Sequence, residues 1–232
     1  MMGSLPVLDT ASKRATLAYI GPFLVFVGFM AVQFAVHLPA HWYYPARFLA
    51  VLLTIGLVSR PVLRLCLRPG FPLASMGIGI AVFLIWIGPD ALWGYRHHWL
   101  FDNFIAGTAA SSVDAVLKQN VMFVGLRVAV SVALVPVLEE LFWRGWLMRW
   151  LISPDFLKVP MGTYARNAFW IVAVLFASEH GPYWEVGLAA GIVYNWWMVR
   201  TRNLADCILA HAVTNGLLSV YVLMTGQWQY WL

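Results

Sequence analysis

The chain has 232 residues, of which 62% are hydrophobic and only 11% charged, with 13 Trp, a formal net charge of +5 and a mean hydropathy of +0.75. Charged residues reach about half the usual share of a soluble domain, so a single water-soluble globule would leave most of its apolar surface exposed. The same composition excludes a disordered tail, a disulfide-stapled secreted fold and, despite a sequence pI near 9.4, a nucleic-acid-binding domain.

Seven apolar segments follow one another: Ala15 to His37, Trp42 to Val58, Phe71 to Gly88, Val121 to Met148, Asn167 to His180, Trp184 to Val199 and Leu204 to Met224. They predict an all-α polytopic transmembrane bundle of about seven, at most eight, spans. A ~30 Å hydrocarbon core takes about 20 helical residues, so the second, fifth and sixth segments need extension or partial burial in protein. The first segment is too long and too poor in cleavage signals for a removable leader and is read as an anchor that stays. No disulfide is expected between Cys66 and Cys207.

Basic residues orient the path. Lys13, Arg14, Arg60, Arg64, Arg68, Arg149, Lys158, Arg166, Arg200 and Arg202 fall on one side, against Arg96 and Lys118 on the other. Arg47, Arg127 and Arg144 lie within or at the edge of spans. This bias predicts a cytoplasmic N-terminus and an outside C-terminus, in the plasma (inner) membrane if the source is prokaryotic. The outward aromatic groups Trp42-Tyr43-Tyr44, Trp93 to Trp99, Tyr183-Trp184 and Trp228-Gln229-Tyr230-Trp231 are expected as interfacial anchors. The loop from Pro89 to Asn120 is expected as a solvated cap. With no repeat and no shift in composition, residues 1–232 read as a single membrane domain.

Charges at membrane depth are costly and usually face a cavity. The fourth segment holds Glu139, Glu140 and Arg144, the fifth ends in Glu179 and His180, and the seventh contains Asp206, His211 and Asn215. Glu140 and Arg144 are four apart on one helix face and can pair, whereas Glu139 points about 100° away. His211 and Asn215 share that four-residue offset, as do Phe176 and His180. Counting about 1.5 Å per residue from the basic flank puts Glu139 and His211 in the middle of the bilayer, with His180 somewhat too high. Pro136 removes a backbone donor and frees a carbonyl near Glu139. Asp206, just after the potential N-cap Asn203, reads as a first-turn group that compensates the helix dipole. Glu179 and Glu185 read as solvated. Zinc-protease His-Glu-x-x-His, Gly-x-Ser-x-Gly and phosphate-loop motifs are absent.

Glu139-Glu140-Leu141-Phe142-Trp143-Arg144, Phe176-Ala177-Ser178-Glu179-His180 and His211-Ala212-Val213-Thr214-Asn215 resemble, in order, the Glu-Glu-x-x-x-Arg, Phe-x-x-x-His and His-x-x-x-Asn/Asp motifs of the CAAX protease and bacteriocin-processing (CPBP) family of intramembrane proteases. The resemblance covers a motif-bearing core of about 121–222, and the first 120 residues look closest to a bacterial CAAX prenyl protease-related subgroup. It implies proteolysis within the membrane, with Glu139 as general base, His180 helping to hold the water, His211 and Asn215 at the oxyanion, and Glu140 with Arg144 ordering the site. No cofactor is required by that reading, although Glu139, His180 and His211 are also a legitimate zinc shell. The expected partners are the bilayer and a peptide or protein substrate, possibly lipidated or a sorting-signal protein, and no nucleic acid. A catalytically silent interaction or immunity protein and a proton-coupled transporter remain alternatives, since both place Glu, His and Arg at mid-membrane.

Overall fold

The structure is a computed structural model and describes residues 10–111 and 113–231. The expectation for the N-terminus itself falls on residues 1–9, outside the described ones. Seven longer helices run in chain order: α1 (Thr10–Val36), α2 (Ala40–Leu57), α3 (Pro72–Trp93), α4 (Val121–Trp150), α5 (Arg166–Ser178), α6 (Trp184–Thr201) and α7 (Leu204–Thr225). No named strand occurs among the described residues. Helices α1, α3, α4 and α7 are long and apolar enough to cross a bilayer. A fifth crossing is counted only if α2 is joined to the 3-10 turn Arg60–Cys66, from which it is bent by 94°. Large apolar side chains such as Leu24, Leu53, Leu73 and Val121 stay exposed on these helices, as a lipid-facing surface requires. The protein is therefore an integral membrane protein.

The helices lie where the apolar segments are, with informative differences at their ends. α3 continues through Pro89 to Trp93, where Gly94 closes it in the left-handed conformation (φ 59°). α5 stops at Ser178, so His180 lies beyond the helix on the turn into Gly181–Tyr183, and this accounts for its high position in a helical count.

Helices α3 and α7 approach most closely at Gly79, where a Cβ would collide with the Ala210 carbonyl oxygen and the Val213 side chain. Thr214 exploits that contact. Its hydroxyl donates to the Gly79 carbonyl (2.9 Å) and accepts from Tyr194 of α6 (2.7 Å). Gly191 lets α6 lie against the backbone of α5 at Ala173.

Asp206 differs from its expected role. Asn203 does cap α7, accepting from Ala205 N–H (2.9 Å), but Asp206 is fully buried and serves another helix. Its carboxylate accepts from Gly70 N–H (2.9 Å), Phe71 N–H (2.9 Å) and the Ser75 hydroxyl (2.8 Å), and so caps α3 across the bundle.

The loop expected as a solvated cap is also less solvated than its composition suggests. Arg96 is buried, with its guanidinium 2.8 Å from Glu185, 3.5 Å from Asp90 and donating to the Pro182 carbonyl (2.8 Å). Glu185 thus forms an ion pair instead of standing in solvent, and it also accepts from the Tyr95 hydroxyl (2.8 Å). Trp42, Trp93 and Trp99 are exposed as anchors should be, whereas Tyr43, Tyr183, Tyr230 and Trp231 are buried. Each of these four has a polar group bonded inside the protein, which is why it turns inward.

Candidate active site

The site begins with an irregularity in α4. Residues Val130–Leu134 form a π-turn in which Val135 N–H bonds the Val130 carbonyl, five residues back. The next residue, Pro136, has no N–H. Ser131 is left with a carbonyl that neither donor serves, and the carboxamide Nδ2 of Asn215 on α7 donates to it at 2.9 Å. The freed carbonyl expected near Pro136 is therefore that of Ser131, and it fixes Asn215 with one carboxamide proton still to give.

Four residues beyond Pro136, Glu140 is wholly buried, as is Arg144, and the two pair at 3.0 Å. The guanidinium also donates from Nε to Asn195 Oδ1 (2.9 Å) and packs over Phe176, 4.6 Å from its ring centre. Asn195 in turn donates to the Phe169 carbonyl (2.8 Å), so α4, α5 and α6 are joined at this point. Glu140 Oε1 has a second partner, His211 Nδ1 on α7, at 3.0 Å. Since that oxygen already accepts from arginine, the imidazole is the donor. His211 Nε2 faces the cavity, 3.9 Å from Glu139 Oε2, and its ring stacks on Tyr194 with centroids 5.2 Å apart.

His180 is set by the same logic. Its Nδ1 lies 2.7 Å from the Phe176 carbonyl, an oxygen that can only accept, so Nδ1 carries the proton and Nε2 keeps its lone pair. Trp86 stands edge-on to the ring at 5.2 Å, and Phe176 packs against both His180 and His211, with ring centroids 4.7 Å and 6.2 Å away.

Glu139, His180, His211 and Asn215, drawn from α4, the turn after α5, and α7, line one cavity of about 260 Å³. Glu179 lines it too, although the residue is exposed. Glu140 and Arg144 stand behind it. Glu139 Oε2 is buried and has no hydrogen-bond partner among the described residues. Residues the motif spacing did not single out also belong here: Tyr194 and Asn195, whose polar ends inside an apolar helix were a usable signal, and Arg47 and Arg127, two cations at membrane depth. For a metal, both imidazoles have the required outer partner on Nδ1 and a free Nε2. Even so, no three His, Cys, Asp or Glu side chains among the described residues converge to ligating distance.

Residues 121–217 match the family model described as type II CAAX prenyl endopeptidase Rce1-like. This segment, less than half of the chain, is similar to that family. The match agrees with the CPBP resemblance of the three motifs, all of which the Rce1-like segment contains, and the family is described as one of CAAX prenyl endopeptidases. No curated protein and no solved structure matches the chain.

Proposed function

We propose that the protein is an endopeptidase that cleaves a membrane-associated peptide or protein with a water activated by Glu139. The observation that carries the reading is the pairing of two acceptors on one cavity, the unpartnered Glu139 Oε2 and the Nε2 lone pair of His180. A water has two protons. Held by both acceptors, it turns an oxygen lone pair toward a carbonyl in the cavity, and Glu139 takes one proton as the C–O bond forms. The remaining carboxamide proton of Asn215 is placed to donate to the oxyanion. His211, oriented by its Nδ1–H on Glu140, lines the same cavity as Asn215 and is the other group assigned to the oxyanion. Glu139 then returns its proton to the leaving amine as the C–N bond breaks.

This route needs no metal. Zinc would supply Lewis-acid polarisation, but Glu139, His180 and His211 do not converge to ligating distance, so the route runs without it. We further propose seven crossings with the N-terminus in the cytoplasm, supported by the basic-residue bias. Reporter fusions after Arg68 and Arg202 should report cytoplasm, and fusions after Asp102 should report the outside. The substrate is read as lipidated or carrying a sorting signal, because either would suit a cavity within a bundle of membrane helices.

The deciding experiment is Glu139→Gln in detergent-purified protein, with peptides from membrane proteomes of cells with and without the active form supplying the substrate. Product formation should fall by at least ~10²-fold while folding and insertion persist. Unchanged turnover would remove Glu139 from the chemistry. Retained motifs with no Glu139-dependent product in any proteome would favour the silent interaction protein.

A further inference from the structure

The chemistry above leaves two cations of the cavity lining unused: Arg47, from the half of the chain outside the Rce1-like segment, and Arg127 of α4. A guanidinium at membrane depth is costly unless it has a task. Arg47 donates to the Tyr43 hydroxyl (3.1 Å) and lies over the Phe26 ring, with no carboxylate paired to it among the described residues. Arg127 donates through one nitrogen to the Tyr44 hydroxyl (3.0 Å) and through the other to the main-chain carbonyl of Trp231 (3.1 Å). Its guanidinium also stands 5.2 Å from the centre of a Trp231 ring.

Trp231 and Tyr230 are buried and line the same cavity as Glu139. The segment that carries them is tied to the rest of the fold, with Tyr183 donating to the Gln229 carbonyl (3.0 Å) and the Tyr230 hydroxyl on Asp90. A main-chain carbonyl on one donor of an arginine, with an aromatic ring against its face, is how a bound peptide would be gripped.

We propose that Arg47 and Arg127 form a peptide-binding subsite of the cavity, selective for an aromatic residue, and that Trp231 of the chain itself occupies it. Tyr44 is the positioning residue that holds Arg127. The proposal rests on the protease reading for its biological use, but the binding it asserts is measurable without turnover. Substrate entry then requires residues 228–231 to withdraw, and the segment competes with any peptide for the same donors.

The test uses the full-length Glu139→Gln protein in micelles, with a fluorescent amide-capped peptide of sequence Gln-Trp-Gln-Tyr-Trp and a control ending in Ala. Adding Trp231→Ala should tighten binding of the first peptide by about tenfold, the scale of one desolvated cation–π contact, and leave the control unchanged. Arg47→Met should weaken it. In the Glu139→Gln protein itself, saturating peptide should speed amide hydrogen exchange in residues 227–231, a readout independent of whether Trp231→Ala folds. Equal affinity for the two peptides, or unaltered exchange in the tail, would overturn the subsite. Because neither readout involves hydrolysis, failure of the peptidase reading leaves this result standing, and the reverse also holds.

Discussion

Replacing Glu140 by Gln keeps the shape of the side chain and removes its charge. Oε1 serves both Arg144 and His211 at 3.0 Å, and neither Glu140 nor Arg144 has any exposed surface. Breaking a buried pair from one side costs about 3–5 kcal/mol, because the remaining charge stays buried. Here the guanidinium retains Asn195 and the face of Phe176, which offsets roughly 1–2 kcal/mol. The expected net loss is about 1–4 kcal/mol. Adding Arg144→Met removes the stranded cation, so the double variant should be more stable than the sum of the single losses predicts, by about 2 kcal/mol. Reversible unfolding in mixed micelles, followed by circular dichroism, measures all four proteins of the cycle. Additivity within about 0.5 kcal/mol would refute the argument that this pair forms one electrostatic unit.

Gly187 lies against His180, where a Cβ would stand 3.1 Å from the imidazole. Gly187→Ala should therefore displace the ring and lower product formation by about 10- to 100-fold with little change in the unfolding midpoint. The Tyr95 hydroxyl in the cap loop, withdrawn from water and donating to Glu185, is pushed up to about 12. The folded state holds this proton more tightly than the unfolded chain, so its stabilisation is full below the ordinary value of 10.0 and is lost as pH rises through about 12. Tyr95→Phe should remove that alkaline dependence in a stability–pH series. Glu139→Asp, one methylene shorter, should lose most activity while chelators have little effect. One tightly held zinc per chain, with activity lost on chelation and restored by zinc alone, would replace the water-and-glutamate route by a metal one.

Periodicity and charge made much of this legible. The helices begin and end within a few residues of the apolar segments, the start of α1 and the end of α3 being furthest off at five residues, because a run of apolar residues determines where a helix can sit in lipid. The Glu140–Arg144 pair was legible because four-residue spacing is a local rule. What sequence reasoning missed was tertiary. Nothing local says that Glu140 also holds His211, seventy-one residues away, or that Phe176 packs against both imidazoles. Tyr230 and Trp231 looked like interfacial aromatics because their composition is that of an anchor, and only their bonds to Asp90 and Arg127 show that they face inward. His180 came out too high because a helical rise was applied past the end of its helix.

The Asp206 clasp bears on how the protein can be divided. Its acceptor lies inside the Rce1-like segment, and all three donors lie in residues 70–75, in the half with no recognised motif. An excised segment starting at residue 121 would expose a buried carboxylate to apolar surroundings with none of those donors, each a charge-assisted bond worth roughly 1.5–3 kcal/mol. The two halves are thus complementary parts of one fold, and co-expressing them as separate fragments should restore a protein that neither forms alone, unless Asp206 or Ser75 is changed. Transplanting the motif-bearing segment onto another scaffold would have to carry residues 70–75 with it.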